Sequence, residues 1–153
     1  MNKAIVAGSF DPFTNGHLDL VKKASKIFDE VAVVIAINTK KTRKFDRYKM
    51  RDAIDKVLIS NRLDNCTCEI VDGPVAVYCA KNNIGYTVRG LRNNMDFNYE
   101  SEIEKTNKII NESLQTIYIP SGNDAISSTL VRELMYCNLP IDKFVPCEIL
   151  EVL

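Results

Sequence analysis

Short apolar runs alternate along this chain with longer runs of helical periodicity, and this alternation is the feature that most constrains the fold. Runs that are apolar throughout are typical of strands whose two faces are both covered. Helix-length segments between such strands are the usual connections of a parallel sheet. We therefore expect an α/β fold, a five-stranded parallel sheet with helices on both faces, with strands at 3–8, 30–37, 67–72, 85–89 and 116–120.

The segments between these strands show apolar residues at helical spacing or carry signals for the start of a helix. Asp46, for example, precedes a periodic run and is a candidate N-cap. The predicted helices are a run from Leu18 to Phe28, one at about 46–60, one that opens at Pro74, one at about 96–114 and one that follows 126–128.

Length, composition and charge narrow the classes of protein to which the chain can belong. Its 153 residues, 46% hydrophobic and 26% charged, predict a single domain over residues 1–153. The 20 basic and 20 acidic residues cancel, which argues against nucleic-acid or membrane-surface partners, since these favour a basic excess. The apolar run at the N-terminus is too short for a signal peptide, and no stretch approaches the ~18 residues of a membrane span.

The cysteines predict a reducing environment rather than a disulfide framework. Cys66 and Cys68 lie two apart on a predicted strand, so they point to the same face at a separation of roughly 6.6 Å, which suits a disulfide poorly. No second cluster of Cys or His completes a zinc site, and no metal-ligating residues are predicted. We expect five reduced thiols in a cytoplasmic protein.

Positive charge is concentrated in the segments that follow the predicted strands. In a parallel sheet these segments meet at one edge, where helix N-termini point and ligands bind. The segment at 38–44 also fits a merely solvated basic loop. Arg89 and Arg92, three apart with a glycine between them, indicate a fork aimed at phosphate. The cations concerned are Lys40, Lys41, Arg43, Lys44, Arg89 and Arg92.

The segment "GSFDPFTNGH", residues 8–17, forms the predicted connection between the first strand and the first helix. Gly8 suits a turn there, and Gly16 lets a ligand approach the backbone closely. Asp11 and Pro12 are interpreted as loop architecture, since Asp can bond N–H groups two residues on and Pro fixes the turn. The spacing matches neither G-x-G-x-x-G nor G-K-[ST], so neither of these phosphate-binding fingerprints applies.

The same segment carries the only histidine of the chain, His17. Thr14 or Asn15 can cap the first helix, which places His17 in the positive field of the helix N-terminus. A neutral imidazole in this position can donate a hydrogen bond to an anion. The alternative interpretation is a partly buried imidazole that is satisfied by a backbone carbonyl.

Three motifs, in this order, resemble those of one enzyme family. "GSFDPFTNGH" is similar to the T/H-x-G-H signature of the nucleotidyltransferase superfamily. "RGLRNNMDFNYE" at 89–100 and "ISSTLVREL" at 126–134 resemble two further blocks of the phosphopantetheine adenylyltransferase family. The resemblance, which extends over nearly the whole chain, implies a Rossmann-like α/β domain. It also implies transfer of the adenylyl group of ATP to 4′-phosphopantetheine, which gives dephospho-coenzyme A and pyrophosphate.

The resemblance implies a cofactor and partners as well. Mg²⁺ would accompany ATP, the protein would be a homohexamer, and feedback binding of coenzyme A stays open. The reaction suits the residues, because a phosphomonoester with a second pKa of about 6 is already ionised at neutral pH and needs no general base. It needs instead two aligned polyanions and stabilisation of charge on the α-phosphate.

Residue by residue, the resemblance implies a catalytic set, an acceptor-binding set and an ATP-binding set. The catalytic set is His17 on the α-phosphate, Lys41 on the incoming phosphate and Arg92 on the ATP phosphates. The acceptor 4′-phosphopantetheine would contact Ser9, Lys41, Val75 and Arg89. ATP would contact Ser9, Phe10, His17, Gly90, Leu91, Arg92, Glu100, Asn123, Asp124, Ala125, Ile126, Ser127, Ser128 and Thr129.

Two departures from the family pattern bear on these roles. Asn123 and Asp124 stand where the family often has an aromatic residue before "ISS", so an adenine contact is lost or made differently. The segment 38–44 lacks the usual proline after its lysines, so Lys40 and Lys41 could exchange roles.

Two other functions stay open from the sequence. One is a related adenylyl- or cytidylyltransferase that acts on another phosphorylated acceptor, although several such families have His at the position of Thr14 and lack the "RGLR" block. The other is a non-catalytic nucleotide or coenzyme A sensor that kept the fold. Against a sensor stand His17, Lys41, Arg89 and Arg92, since a sensor has no need of groups that act in the transition state.

Overall fold

A five-stranded parallel sheet forms the centre of the molecule, as the alternation of strand and helix runs predicts. The structure, a computed structural model, describes residues 1–37, 39–91, 103–120, 122 and 126–153. The strands are β1 (Lys3–Gly8), β2 (Glu30–Ile37), β3 (Cys66–Asp72), β4 (Tyr86–Leu91) and β5 (Gln115–Pro120). Neighbouring strands are parallel throughout, and their order across the sheet is β3-β2-β1-β4-β5.

Helices connect the strands, and side chains cap several of their N-termini. The carboxylate of Asp46 accepts the backbone N–H groups of Tyr48 and Lys49, which confirms Asp46 as an N-cap. No helix among the described residues is long and apolar enough to cross a membrane. The helices are α1 (Asn15–Ile27), α2 (Arg47–Ser60), α3 (Val75–Lys81), α4 (103–110), α5 (Ser128–Tyr136) and α6 (Cys147–Leu150).

The helix predicted at about 96–114 was wrong at its C-terminal end. Residues 96–102 lie outside the described part of the chain, and α4 ends at residue 110. The N–H group of Leu114 donates to the carbonyl of Asn111 at 3.1 Å, which closes a turn, and the Leu114 side chain is buried. Burial of this side chain directs the segment into β5 instead of continuing the helix.

Helices cover both faces of the sheet, as predicted. Alternate residues of β1 point to opposite faces, so Ala4 and Val6 belong to one buried cluster and Ile5 to another. The apolar faces of α1, α2, α5 and α6 pack in the first cluster, whereas α3 packs in the second. Cover on both sides is the physical reason why the strands are apolar throughout.

β4 continues beyond the strand predicted at 85–89, so that prediction was also wrong at its C-terminal end. Arg89, Gly90 and Leu91 pair with Tyr118–Pro120 of β5, which places "RGL" in the sheet rather than in a loop. An arginine and a glycine are unusual in a buried strand, so the sequence indicates a strand end there. The hydrogen bonds that keep the strand going come from β5, which follows a long connection.

β1 and β4 separate toward their carboxyl ends. β1 pairs with β2 over six residues, whereas it pairs with β4 at only two positions, Ala4 and Ile5, opposite Tyr86 and Thr87. Beyond that point β4 pairs with β5 alone. The chain runs from β1 to β2 on one side and from β4 to β5 on the other, so the strand order reverses here. Such a reversal opens a crevice at the carboxyl edge of a parallel sheet, where ligands bind.

The cysteines form no disulfide bonds, as expected. Cys66, Cys68 and Cys79 are buried, and burial raises the pKa of Cys66 and of Cys79 to about 11. Burial raises the pKa of Cys68 as well. Cys137 and Cys147 are exposed, and a hydrogen bond to the Glu148 carboxylate raises the pKa of Cys147.

We expect the thiol reagent DTNB, at about pH 8, to modify Cys137 and Cys147 in the native protein, with Cys147 the slower of the two. The three buried thiols should react only after unfolding, because they are inaccessible and not ionised at that pH. The measurement is the absorbance of released thionitrobenzoate in native protein and in guanidinium chloride. Rapid release from a third thiol in native protein would contradict the burial of these side chains.

Candidate active site

Two adjoining cavities lie at the carboxyl edge of the sheet. The first, termed the main cavity, has a volume of about 570 Å³, and the second, termed the basic cavity, about 550 Å³. Both are lined by Ser9, Ala36 and Lys41. The main cavity occupies the place where β1 and β4 separate, and its walls come from Val6–Gly8, the start of α1, Val88–Gly90 and Ile126–Thr129.

Most of the residues predicted for the site lie on the wall of the main cavity. Leu91, the last residue of β4, does not line it. Arg92, Glu100, Asn123, Asp124 and Ala125 lie outside the described residues, so their contacts stay predictions. The predicted residues on the wall are Ser9, Phe10, His17, Lys41, Val75, Arg89, Gly90, Ile126, Ser127, Ser128 and Thr129.

Thr14 and His17 are three residues apart because together they close the N-terminus of α1. Thr14 is the N-cap, and its hydroxyl accepts the N–H group of His17 at 3.4 Å. In return, His17 Nδ1 accepts the N–H group of Thr14 at 2.9 Å. This is a capping box in which histidine stands where glutamate or glutamine is usual. It satisfies N–H groups that the helix itself leaves without a partner.

The capping box fixes the tautomer of His17. A backbone N–H group can only donate, so Nδ1 carries the lone pair and Nε2 carries the proton of the neutral ring. Nδ1 therefore bonds a backbone N–H group and not a backbone carbonyl. The ring lines the main cavity at the positive end of α1, where an N–H donor suits an anion.

Two buried phenyl rings hold the imidazole in place. The ring of Phe10 lies 4.9 Å from that of His17, centroid to centroid, at an interplanar angle of 76°, and the ring of Phe13 lies 5.5 Å away. The two phenyl rings also contact each other edge to face at 5.2 Å. Phe10 is 2% exposed and Phe13 0%, so both pack in the core and restrict the orientation of the imidazole.

Asp11 joins the loop after β1 to the loop after β2. Its carboxylate, which is 7% exposed, accepts the N–H groups of Lys44 and Phe45, both at 2.9 Å. The prediction that Asp11 bonds N–H groups two residues on was wrong, because these partners are 33 and 34 residues away. The two loops follow neighbouring strands, so the carboxylate meets N–H groups across the edge of the sheet that no local pattern reveals.

Four successive carbonyl groups of the loop after β1 accept hydrogen bonds from side chains of other segments. The carbonyl and the N–H group of one peptide point in opposite directions, so each bond also sets the direction of an N–H group. Arg43 and Arg132, to which the sequence assigned no role in the site, supply three of these bonds from distant segments. The pairs are Arg43 Nη1 with Ser9 O, Arg43 Nη2 with Phe10 O (3.0 Å), Arg132 Nη1 with Asp11 O (2.6 Å) and Ser128 Oγ with Pro12 O (2.7 Å).

Lys41 and Arg89 bring positive charge to the main cavity. Lys41 lines both cavities, whereas Lys40 lines neither, which favours Lys41 for the phosphate role that the sequence left open between them. Arg89 Nη1 donates to the carbonyl of Ala7 at 3.4 Å, across the gap between β4 and β1. The half-buried guanidinium therefore lies where the two strands separate.

Five cationic side chains and one carboxylate line the basic cavity. The carboxylate is that of Asp11, which already accepts two backbone N–H groups. Burial lowers the pKa of Arg43, and the nearby Asp11 opposes this effect. An excess of cations beside the main cavity raises the local concentration of anionic ligands. The cations are those of Lys41, Arg43, Lys44, Arg47 and Arg132.

The N-terminus of α5 forms another wall of the main cavity. Ser127 is its N-cap, and its hydroxyl accepts the N–H group three residues on at 3.0 Å. The Ser128 hydroxyl donates to Pro12, and the Thr129 hydroxyl accepts from Arg132 at 3.3 Å. The sequence assigned both hydroxyl and N–H groups of this turn to phosphate. The structure engages the hydroxyls in capping and packing, so the backbone N–H groups and the helix dipole suit an anion best.

Carboxylates are scarce around the main cavity. Within the described residues, no group of three or more His, Cys, Asp or Glu side chains is arranged to hold a metal ion. Asp19 is the single carboxylate on the described wall, and it pairs with Lys23 at 2.8 Å. A divalent cation here would obtain most of its ligands from a phosphate-bearing molecule, which is a coordination typical of Mg²⁺.

Comparison with known proteins identifies the family. Residues 5–134 match the family model described as cytidylyltransferase-like. The phosphopantetheine adenylyltransferase of Borrelia duttonii is 38% identical over 149 residues, which cover 95% of this chain and 90% of that protein. The enzyme of the same name from Geobacter metallireducens is 36% identical over 154 residues, with 98% and 92% covered.

Similarity to solved structures agrees with this result at the level of the fold. A structure described as a nicotinate-nucleotide adenylyltransferase from Vibrio parahaemolyticus matches with a TM-score of 0.69 at 20% identity, over 99% of this chain and 91% of that one. At that identity the match supports the α/β architecture alone. Taken with the full-length relatives, the family match shows that this chain belongs to the phosphopantetheine adenylyltransferases, within the cytidylyltransferase-like family.

Proposed function

We propose that this protein transfers the adenylyl group of ATP to 4′-phosphopantetheine, which yields dephospho-coenzyme A and pyrophosphate. The observation that carries the proposal is the main cavity, whose wall joins the neutral imidazole of His17 to the cations of Lys41 and Arg89. Relatives named phosphopantetheine adenylyltransferase, 36–38% identical over nearly the whole chain, support this pair of substrates.

The chemistry requires no base from the protein. A phosphate oxygen of 4′-phosphopantetheine attacks the α-phosphorus of ATP and forms a new P–O bond. The bond between the α-phosphorus and the oxygen that bridges to the β-phosphate breaks, and pyrophosphate leaves with that electron pair. The attacking oxygen is already ionised near neutral pH, because the second pKa of a phosphomonoester is about 6. The protein therefore has to align two polyanions and stabilise charge at the α-phosphate.

His17 suits the second of these tasks. Its Nε2–H group donates to an α-phosphate oxygen as negative charge develops there, while Nδ1 stays bonded to Thr14. Phe10 and Phe13 restrict the ring, so little reorganisation accompanies the reaction. The N-terminus of α1 adds the positive end of a helix dipole at the same place.

The remaining wall divides between the two substrates. Lys41 and Arg89 neutralise the phosphate of 4′-phosphopantetheine, and Val75 contacts its pantetheine arm. The ATP phosphates bind at the N-terminus of α5 and at the N–H group of Phe10. The predicted ATP contacts of Arg92, Glu100 and 123–125 belong to the same proposal.

We propose also that Mg²⁺ accompanies ATP. The ion would be held mainly by phosphate oxygens, with Asp19 as the carboxylate available on the described wall. It supplies charge neutralisation that lets two polyanions approach each other.

The test of the proposed function is incubation with ATP, Mg²⁺ and 4′-phosphopantetheine, with dephospho-coenzyme A and pyrophosphate measured by mass spectrometry and a coupled assay. Parallel reactions offer nicotinate mononucleotide with ATP and glycerol 3-phosphate with CTP. We expect turnover with 4′-phosphopantetheine and none with the other acceptors. Turnover with another acceptor would favour a related nucleotidyltransferase. Tight binding of ATP without any turnover would favour a sensor.

Arg89→Ala is expected to raise the dissociation constant of 4′-phosphopantetheine roughly 10- to 100-fold, the effect of losing hydrogen bonds to a charged group. The reason is that the Arg89 guanidinium lies on the wall of the main cavity, where β1 and β4 separate. The measurement is isothermal titration calorimetry. Lys40→Ala, which removes a cation that lines neither cavity, is the matched control. Unchanged acceptor binding in Arg89→Ala would remove Arg89 from the acceptor site.

The family also suggests a homohexamer in the cytoplasm and feedback binding of coenzyme A, and we propose these as well. Exposed apolar side chains such as Ile109, which is 87% exposed, and Ile110 on α4 offer surface for contacts between subunits. Sedimentation equilibrium measures the assembly, and a monomer at micromolar concentration would exclude the hexamer. Competition between coenzyme A and ATP in the binding assay tests the feedback site.

A further inference from the structure

Arg43 ties the loop after β2 to the loop after β1. Its Nε donates to the carbonyl of Phe45 at 2.7 Å, within its own loop. Its Nη1 donates to the carbonyl of Ser9, and its Nη2 to that of Phe10 at 3.0 Å. The planar guanidinium thus binds three carbonyl groups at once, which the single ammonium of a lysine does far less well.

The two distant carbonyls bound by Arg43 belong to the peptides on either side of Phe10. The orientation of these two peptides is what defines the φ and ψ angles of Phe10. Phe10 has a φ of 45°, in the left-handed region that residues other than glycine rarely adopt. A residue in that region stays there only when its surroundings hold it. Arg43 supplies such a hold from outside the loop.

The conformation of Phe10 bears on the main cavity in two ways. Its ring contacts the imidazole of His17 at 4.9 Å, so the position of Phe10 helps to set that of the imidazole. In addition, the Ser9 carbonyl points at Arg43, which lines the basic cavity and not the main cavity. The N–H group of Phe10, on the other side of the same peptide, then points away from Arg43.

We propose that Arg43 is a positioning residue for adenylyl transfer. It contacts neither substrate in this account, which rests on the proposed function. It holds Phe10 in the left-handed conformation, so that the Phe10 N–H group meets a phosphate of ATP and the Phe10 ring keeps His17 in its reactive orientation. The burial that lowers the pKa of Arg43 accompanies this contact with the loop backbone.

The variants that test the proposal are Arg43→Ala and Arg43→Lys, with Arg51→Met as the matched control. Arg51 is an arginine of α2 that pairs with Asp52 at 2.8 Å and lines neither cavity. We expect kcat of Arg43→Ala to fall roughly 10- to 100-fold, the effect of a reacting group displaced by about 1 Å. The KM values should change far less, and kcat of Arg43→Lys should lie between the two extremes. Arg51→Met should keep the kcat of the unmodified protein.

Rescue distinguishes positioning from a general loss of stability. Guanidinium ion at low millimolar concentration fits the space that Arg43→Ala vacates and can bind the same carbonyls, so it should restore part of the lost kcat. It should leave the unmodified protein and Arg51→Met unchanged. An Arg43→Ala protein with unaltered kcat overturns the proposal. So does a loss of kcat that is fully explained by the fraction of protein unfolded, measured by circular dichroism.

A spectroscopic readout separates this proposal from the proposed function. His17 is the only histidine, so protein labelled with ¹⁵N-histidine gives the signals of one imidazole. We expect the Nε2–H tautomer in the unmodified protein and a mixture of tautomers in Arg43→Ala, because release of Phe10 loosens the ring. An identical spectrum in both proteins overturns the positioning role. Absence of turnover with 4′-phosphopantetheine in the unmodified protein refutes the proposed function, while the spectra still decide the role of Arg43.

Discussion

Replacement of His17 by alanine is expected to lower kcat roughly 10²- to 10³-fold while the dissociation constant of ATP changes little. The structure gives the reason. Nδ1 is committed to the N–H group of Thr14, so the imidazole has one N–H donor, Nε2–H, for the α-phosphate. Its bond strengthens as charge develops in the transition state, whereas ground-state contacts with ATP come mainly from the cations and from the N-terminus of α5.

Single-turnover kinetics and calorimetric titration with ATP measure the two quantities separately. His17→Gln is the matched control, because glutamine at this position of a capping box can still accept the Thr14 N–H group. We expect His17→Gln to unfold at the temperature of the unmodified protein and yet to lose most of its kcat. If kcat and ATP affinity fell together by similar factors in His17→Ala, the imidazole would bind ground state and transition state alike, and the role assigned to it would be wrong.

Replacement of Asp11 by alanine is expected to lower the free energy of unfolding by roughly 2–5 kcal/mol, since two N–H groups lose their acceptor. The N–H group of Phe45 is buried and that of Lys44 partly so, and water cannot easily replace the carboxylate. The loss concerns the link between the loops after β1 and β2, which carry residues of both cavities. Activity should therefore decline at temperatures below the unfolding transition.

Urea denaturation followed by circular dichroism measures this effect. Asp11→Asn retains one carbonyl oxygen of nearly the same shape, so its loss of stability should be smaller than that of Asp11→Ala. Asp52→Ala is a control for removal of an exposed carboxylate, which at most weakens a surface ion pair with Arg51. If Asp11→Ala were as stable as Asp52→Ala, the two hydrogen bonds of Asp11 would contribute nothing to the fold.

Features that depend on neighbours in the sequence could be predicted. The strands at 3–8 and 30–37 agree with β1 and β2, because a run that is apolar throughout marks a strand covered on both faces. The N-caps Asp46 and Thr14 were among the candidates, since a cap acts within one turn. The arrival of His17, Lys41 and Arg89 at one cavity follows from parallel strands whose carboxyl ends share an edge.

Features that depend on contacts between distant segments could not. The order of the strands, and with it the gap between β1 and β4, is set by packing of the whole chain. Asp11 was given local partners, but its carboxylate binds the loop 33 residues on. Arg43 and Arg132 are ordinary loop and helix residues in the sequence. They become part of the site only because the fold brings them to the backbone of residues 9–11.

The central claim is that the α-phosphate passes directly from pyrophosphate to the acceptor phosphate, while the protein supplies alignment and charge stabilisation but no nucleophile. The stereochemical course at the α-phosphorus tests this most directly. One diastereomer of ATP with sulfur at the α-phosphate is converted with 4′-phosphopantetheine, and the configuration of the product is determined by ³¹P nuclear magnetic resonance. A single in-line displacement predicts inversion. Retention would reveal two displacements through a covalently adenylylated residue and would contradict the claim.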